Sequence, residues 1–148
     1  MNRTDLLKFM RTQTNVVQAT VSPDGSPQAA VVGIAVTDQF EIVFDSLETT
    51  RKALNLLKNP KITFVIGGLI PGDERTLQYE GVVDRPSGVE LEALKAIYYA
   101  KFPSGPTRLA WLGLIYLRAR PTWIRYTDFG KKPIERIELD SGQLKALR

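Results

Sequence analysis

The 148-residue sequence predicts a mainly β fold, an antiparallel barrel with short helical insertions. Short apolar segments rich in Val, Ile and Phe are separated by Pro, Gly, Asn and Asp, as in strands joined by hairpin turns. No repeat, low-complexity segment or linker divides the chain. We therefore expect a single domain over residues 1–148, with residues 139–148 as a C-terminal tail.

The composition excludes several classes of site. The chain has no cysteine and no histidine, which rules out disulfides, metal sites built on His or Cys, and histidine-dependent catalytic triads. This favours a bound cofactor that does the chemistry itself. The net charge of +4 suits phosphorylated ligands. No apolar run approaches the roughly 20 residues that cross a membrane, and the first residues lack the pattern of a signal peptide, so we expect a cytoplasmic protein.

The N-terminal part of the chain predicts a short helix and a hairpin. Residues 5–11 are expected to be helical and residues 16–21 and 28–36 to be strands, joined by a turn at Pro23-Asp24-Gly25. The second strand is apolar on both faces, which predicts core on one side and a ligand or partner subunit on the other. Gly33 within it indicates either close approach of a flat ligand to the backbone or a β-bulge.

The rest of the chain predicts further strands and a long helix. The helix is expected to start at Ser87, because Ser87 and Glu90 have the spacing of a capping box, and to end before Phe102. Residues from Ser141 onwards are expected to be solvated. Pro121 is expected to interrupt the strand pattern, and the strands are expected at residues 40–44, 61–69, 75–84, 112–120, 123–126 and 134–139.

A shorter helix is expected after the turn at Leu47-Glu48, with Ser46 or Thr49 as its cap and Asn59-Pro60 as its end. Arg51 and Lys52 lie in its first turn, where a cation costs about 0.3–1 kcal/mol against the helix dipole. Either they are solvated surface residues, or they bind an anion such as phosphate together with the free N–H groups. The helical spacing of the apolar residues predicts one buried face made of Ala53, Leu54, Leu56 and Leu57.

The order of these motifs resembles a known family. A strand, a Pro-Asp-Gly turn and a strand that starts with Pro-Gln lead to Phe-x-Ser-x-x-x-x-Arg-Lys-Ala-x-Asn-Leu and then to Asn-Pro-x-Ile. This order is similar to that of the pyridoxamine 5′-phosphate oxidase-like family, the FMN-binding split barrels, over residues 5 to about 127. The resemblance implies a six-stranded antiparallel split β-barrel with short helices, and a homodimer that holds FMN at its subunit interface.

The resemblance also implies which residues hold the cofactor. Arg51 and Lys52 match the phosphate ligands, and Ser46 matches a hydroxyl that helps to hold the phosphate and the ribityl chain. Gln78 matches a glutamine that contacts the flavin ring. The other matched positions are the strand segment whose backbone lies along the ring and two neighbours of the phosphate ligands: Val32, Gly33, Ile34, Asp45 and Thr50.

Several residues are candidates for the substrate side or for binding an anion. Trp123 and Arg125 are the main candidates, together with Trp111 and Tyr116, although aromatic residues near strand ends also build cores and subunit interfaces. A basic row is expected as well, either solvated or facing an anionic substrate: Arg118, Arg120 and Arg125.

The sequence also departs from the family pattern. True oxidases carry an Arg and a Lys on the strand that here reads Ala30-Val31-Val32-Gly33-Ile34, and an Arg-Leu-His motif that has no counterpart. Their tryptophan after the Pro121 position falls on Thr127. The resemblance therefore implies flavin binding without vitamin B6 oxidation.

The leading prediction is an FMN-dependent oxidoreductase or reductase that acts on a small molecule. Two alternatives stay open, a deazaflavin-dependent reductase and a flavin-binding module without catalysis. A nucleic-acid-binding barrel is disfavoured, because the aromatic residues do not interleave with Lys and Arg on one strand as stacking platforms do.

Overall fold

The computed structural model describes residues 1–146. The strands are β1 (Val16–Val21), β2 (Pro27–Val32), β3 (Ala35–Val36), β4 (Ile42–Leu47), β5 (Lys61–Gly67), β6 (Arg75–Asp84), β7 (Leu114–Asp128) and β8 (Glu135–Asp140). The helices are α1 (Arg3–Thr12), α2 (Arg51–Lys58), α3 (Gly88–Lys101) and α4 (Ser141–Ala146), with a 3₁₀ helix at Gly105–Ala110. None of the helices within residues 1–146 is both long and apolar enough to span a membrane.

All strands belong to one antiparallel sheet that curls on itself. Its order is β2-β1-β5-β6-β7-β4-β3, and β8 pairs with β7 off this path. The two ends of the path, β2 and β3, are separated in the chain by only Gly33 and Ile34. Because the three peptide units from Val32 to Ala35 span at most about 11 Å, the two sheet edges must come close together. The sheet is therefore a barrel that is split between β2 and β3.

The barrel interior is packed with apolar side chains, and its centre is aromatic. The rings of Phe44 and Phe64 meet edge to face at 6.0 Å, and those of Phe64 and Tyr79 at 5.7 Å. The Tyr79 hydroxyl lies 2.9 Å from the Ala119 carbonyl oxygen and 3.0 Å from that of Phe40, so its polar end is satisfied inside the core. Helix α3 covers a second, smaller core on the outer face of the split side, made of Ala35, Val43, Leu94, Tyr98 and Tyr116.

The predicted split barrel is confirmed, and the number of strands differs. Residues 1–146 contain eight strands in place of six. The expected strand over residues 28–36 is broken at Gly33 into β2 and β3, which lie on opposite edges of the split. Pro121 does not end a strand: β7 is continuous over 15 residues, and the chain absorbs the proline through a register shift at Glu80/Gly81 on β6.

Three local predictions about the helices are wrong. Leu54 and Leu57 do not lie on the buried face of α2, since they are 52% and 79% exposed, and Asn55 is buried in their place. Ser87 is the N-cap position of α3 but makes no side-chain cap, and Glu90 pairs with Arg118 in place of the Ser87 backbone. The tail is not solvated throughout, since Ser141–Ala146 form α4 and Leu144 packs into the barrel core. Residues 147 and 148, also expected to be solvated, lie outside the described residues.

Candidate functional site: a cationic cleft at the start of helix α2

The turn between β4 and α2 is built by side-chain hydroxyls. Thr50 is the N-cap of α2, and its Oγ1 accepts a hydrogen bond from the Ala53 N–H at 3.3 Å. The expected cap at Ser46 or Thr49 is therefore wrong, since the cap lies one residue after Thr49. Ser46 supports the cap from beneath, since its hydroxyl oxygen lies 2.8 Å from that of Thr50. This turn sets the direction in which the first residues of α2 project.

The start of α2 and the strands β1 and β2 enclose a cleft of about 320 Å³. Thr50, Arg51 and Lys52, which the sequence assigned to one site, all line it. The cleft is completed by residues that the sequence analysis did not single out: Gln18, Thr20, Gln28, Ala29 and Ala30.

The cleft is positively charged, and no carboxylate from the described part of the chain lines it. The exposed Arg51 donates from Nε to Gln28 Oε1 at 3.1 Å, which is a neutral partner. Lys52 has no hydrogen bond or ion pair within residues 1–146. Burial lowers the pKa of Lys52, and the nearby charge of Asp45 opposes that shift. Two cations at a helix N-terminus that make no ion pair within residues 1–146 have the charge and the donors that favour an anion with several oxygens.

The floor of the cleft is a network of neutral polar side chains. Asn55 donates from Nδ2 to Thr20 Oγ1 at 3.0 Å and to Gln28 Oε1 at 2.9 Å. Gln18 is the exception. It is 2% exposed, and neither its Nε2 nor its Oε1 has a hydrogen-bond partner among the described residues. An unpaired buried carboxamide costs free energy, and a ligand in the cleft would remove that cost.

Two predicted cofactor residues are committed to other contacts. Asp45 accepts from Arg108 Nε at 3.1 Å, and Arg108 also donates to the Tyr98 hydroxyl at 3.2 Å. Burial, together with the charge of Asp45, raises the pKa of Tyr98 to about 12, so this hydroxyl stays protonated. Ser46 is 6% exposed and does not line the cleft. Its role in the structure is to support Thr50.

The segment Val32, Gly33 and Ile34 does not line the cleft either. Ile34 is fully buried in the barrel core. Gly33 does face a flat group at close range, and that group is the Phe102 ring of the same chain. A Cβ at position 33 would lie 2.9 Å from Phe102 Cζ. The close approach expected for a ligand is therefore made here by Phe102, at the end of α3.

The other predicted residues lie on the outer face of the sheet. Gln78 is exposed and lies directly opposite Arg125. Trp123 donates from Nε1 to Glu138 Oε1 at 2.8 Å, and Arg125 donates from Nη2 to Glu138 Oε2 at 3.2 Å. None of the three lines the cleft. The carboxylate of Glu138 on β8 holds the two candidate substrate residues together.

The arginines of the predicted basic row are not all solvated. Arg118 is 4% exposed and donates to both carboxylate oxygens of Asp84 and to Glu90, whereas Arg120 is 54% exposed at its side chain. Burial acts to raise the pKa of Asp84, but the guanidinium of Arg118 outweighs burial and lowers that pKa. This cluster joins β6, β7 and α3 and is separate from the cleft.

The missed cleft residues have a recognisable sequence signal. Val16, Gln18 and Thr20 alternate along β1 and all point to its buried side. Two polar side chains at core-facing positions of a strand are unusual, because buried polar groups need partners. Asn55, which occupies a core-facing position of α2, is the same kind of signal.

A comparison with protein families identifies the chain. The family model described as pyridoxamine 5′-phosphate oxidase matches residues 4–128. The chain belongs to the pyridoxamine 5′-phosphate oxidase family. The whole cleft, from Gln18 to Lys52, lies inside the part of this family member that the model matches.

One relative and two solved structures show how far the likeness extends. The family member is 32% identical over 93 residues to a pyridoxine/pyridoxamine 5′-phosphate oxidase of Cupriavidus metallidurans, which covers 63% of this chain and 41% of the relative. It is similar in fold to a heme binding protein from Mycobacterium smegmatis, with a TM-score of 0.81, 18% identity, and coverage of 99% of this chain and 61% of that one. It is also similar to a pyridoxamine 5′-phosphate oxidase-related, FMN binding protein from Nostoc punctiforme, with a TM-score of 0.68, 14% identity, and coverage of 95% and 88%.

Proposed function

We propose that this family member binds FMN through the cleft at the start of α2 and acts as an FMN-dependent oxidoreductase on a small molecule. The observation that carries the proposal is the pair Arg51 and Lys52, which converge on one cleft and make no ion pair within residues 1–146. The FMN binding named for the Nostoc punctiforme protein of similar fold adds support.

The residues of the cleft fit the phosphate end of FMN. A phosphate dianion at this position receives charge-assisted hydrogen bonds from Arg51 and Lys52 and faces the first N–H groups of α2. The Gln18 carboxamide, which has no partner among the described residues, supplies a donor and an acceptor deeper in the cleft. At about 320 Å³ the cleft is near the lower limit for small-molecule sites. It therefore holds the phosphate and adjoining chain, and the flavin ring extends beyond it.

The outer face of the sheet offers a place for the ring and for a second subunit. Val31 on β2 is 64% exposed and Val65 on β5 is 42% exposed, and both pair with Val17, so they lie on the same face of the sheet. A flat ring on this face stays open to water unless another chain covers it. Apolar surface of this kind is typical of interfaces. A homodimer with the flavin at its interface is therefore part of the proposal.

The chain's own groups bind and orient the cofactor. Bound FMN supplies the hydride or electron transfer. Arg51 and Lys52 hold the phosphate, and backbone N–H groups on the edge of β2 that pairs with no strand in residues 1–146 are available to stabilise negative charge on a ring that lies against them. Oxidation of vitamin B6 is not proposed, because the Arg and Lys expected on the strand around Ala30 and Ile34 are absent. The matched segment also spans only 41% of the Cupriavidus oxidase.

Haem binding has less support than FMN binding. The Mycobacterium smegmatis protein of similar fold is named as a heme binding protein. Histidine and cysteine, which commonly hold haem iron, are absent from this sequence, and the Met10 side chain is fully buried in the barrel core. The cations of the cleft suit the phosphate of FMN and that of a phosphorylated deazaflavin equally.

The proposal is tested by titrating purified, ligand-free protein with FMN and, separately, with a phosphorylated deazaflavin. We expect saturable quenching of FMN fluorescence, a flavin absorption band that stays with the protein on gel filtration, and a dimer in light scattering. Photoreduced complex should then be reoxidised in a saturable way by a small-molecule acceptor. Binding of the deazaflavin alone would contradict the FMN assignment, and FMN binding without any saturable acceptor would indicate a binding module.

A further inference from the structure

Gln18 is buried in the cleft with its hydrogen-bonding capacity unused. The side chain is 2% exposed, lines the cleft, and has no partner at Nε2 or at Oε1 among the described residues. The three other buried or half-buried polar side chains nearby are joined through Asn55, whose Nδ2 donates to both Thr20 and Gln28. The network therefore stops short of Gln18.

The position of Gln18 along β1 separates it from the cations. Thr20 lies opposite Gln28 in the β1–β2 ladder, and Gln28 is the partner of Arg51. Gln18 lies two residues further along β1, which is about 7 Å, opposite Ala30. Ala30 is exposed and small, and its side chain offers no hydrogen-bonding group to the Gln18 carboxamide opposite it.

We infer that Gln18 binds the hydroxyl-bearing chain of the ligand, next to the phosphate that Arg51 and Lys52 hold. This inference rests on the proposed function, since it takes the ligand to be a phosphorylated polyol such as the ribityl phosphate end of FMN. A carboxamide suits this role because it is both donor and acceptor, as each hydroxyl is. An anion at the same place would use only the donor and would leave Oε1 unpaired.

The inference predicts opposite effects on stability and on affinity. Replacing Gln18 by the similarly shaped, apolar methionine removes a buried polar group without partners, so the melting temperature of the ligand-free protein should stay the same or rise. The same change removes a hydrogen bond to bound FMN, so the Kd for FMN should rise about 3- to 10-fold. If Gln18 instead served only to stabilise the fold, Q18M would have a lower melting temperature than the wild-type protein.

Q13M is the matched control. Gln13 is a buried glutamine, 5% exposed, that does not line the cleft. Its replacement should leave the Kd for FMN unchanged. The comparison between the two variants thus separates a contact to the ligand from the general effect of removing a buried carboxamide.

The part of the ligand that Gln18 contacts is read from its side-chain NH₂ resonances. These are assigned in a ¹⁵N-labelled sample as the pair missing from the spectrum of Q18M. They should shift when FMN is added and when ribitol 5-phosphate is added, and stay in place with inorganic phosphate, although phosphate moves the backbone resonances of Arg51 and Lys52. Movement with phosphate alone, or with FMN but not ribitol 5-phosphate, would overturn the assignment to the polyol chain.

The affinity measurement distinguishes the two proposals from each other. If FMN binds the wild-type protein and Q18M equally well, the role of Gln18 is refuted and the proposed function stands. If FMN does not bind the wild-type protein at all, the proposed function and the inference fall together.

Discussion

Arg51 on α2 and Gln28 on β2 are joined by a hydrogen bond of 3.1 Å that spans the cleft. Gln28 Oε1 accepts from Asn55 as well, so one neutral oxygen organises both the cation at the rim and the amide at the floor. The charge of Arg51 is oriented by this contact without being neutralised. That arrangement leaves the guanidinium available to an anion.

Removing either cation of the cleft should weaken FMN binding without destabilising the fold. A hydrogen bond to a charged group contributes about 1.5–3 kcal/mol, so R51A and K52M should each raise the Kd for FMN by about 10-fold or more. Neither residue has an acidic partner among residues 1–146, and the melting temperature of the ligand-free variants should therefore change little. Fluorescence titration and thermal unfolding measure the two quantities. K58M, on the exposed last turn of the same helix, is the control, and an equal loss of affinity there would point to net charge alone.

As the pH rises, the affinity for FMN should begin to fall at a lower pH than it would if Lys52 had the pKa of an ordinary lysine. Burial lowers the pKa of Lys52 in the ligand-free protein, so the ammonium charge is lost below the usual pH of about 10.5. The decline should begin below the pH at which an ordinary lysine loses its charge, and it should be absent in K52M. A parallel decline in that variant would assign it to another group.

The stability of the ligand-free protein should show the opposite trend. Where Lys52 has lost its proton in the folded state and keeps it in the unfolded state, the unfolded chain binds more protons. The contribution of Lys52 to the free energy of unfolding therefore rises with pH through that window. Denaturant titrations of wild type and K52M at several pH values give this difference directly, and a contribution that falls with pH would contradict the lowered pKa.

Arg118 should contribute to the stability of the fold and not to the binding of FMN. Its buried guanidinium joins Asp84 and Glu90, and both acids are partly exposed at 41% and 55% of their side chains. R118M should lower the free energy of unfolding by about 1.5–3 kcal/mol, the value of a hydrogen bond to a charged group. The Kd of FMN for the folded fraction should not change. R120M, at an exposed position of the same cluster, should cost less than about 1 kcal/mol.

The contact between Gly33 and Phe102 can be measured by a double-mutant cycle. With Phe102 present, G33A should destabilise the protein by about 1 kcal/mol, because the new Cβ would lie 2.9 Å from the ring. In the F102A background the same change should stabilise it by about 0.4–1 kcal/mol, the usual gain from a more restricted unfolded chain. Chemical denaturation of the four proteins yields the coupling energy. Coupling near zero would mean that the ring moves aside at no cost.

The sequence predicted the structure well where that structure is set by residues close together in the chain. The Pro23-Asp24-Gly25 turn, the strands at Val16–Val21 and Arg75–Asp84, and the placement of Thr50, Arg51 and Lys52 in one cleft follow from turn chemistry, alternation and helix polarity. The ligand-binding roles of these and the other matched residues stay predictions.

Other residues could not be placed from the sequence, because their environment comes from distant parts of the chain. Leu57 is an apolar residue at helical spacing, yet it is exposed, since α2 packs on β1 through Asn55 instead. Arg118 has the pattern of a surface cation, yet Asp84 and Glu90 meet it from another strand and from α3.

By itself, the sequence determined the split-barrel family through the order of its motifs. It also determined the turn chemistry and the pair of adjacent cations at a helix start, because these depend on residues close together in the chain. Only the tertiary structure decided which of the candidate residues share a cleft. The curl of the sheet brings Gln18 and Gln28 to the start of α2, while it sends Gln78, Trp123 and Arg125 to the outer face. The depth of the site, with an unpaired carboxamide at its floor, is a consequence of that long-range packing.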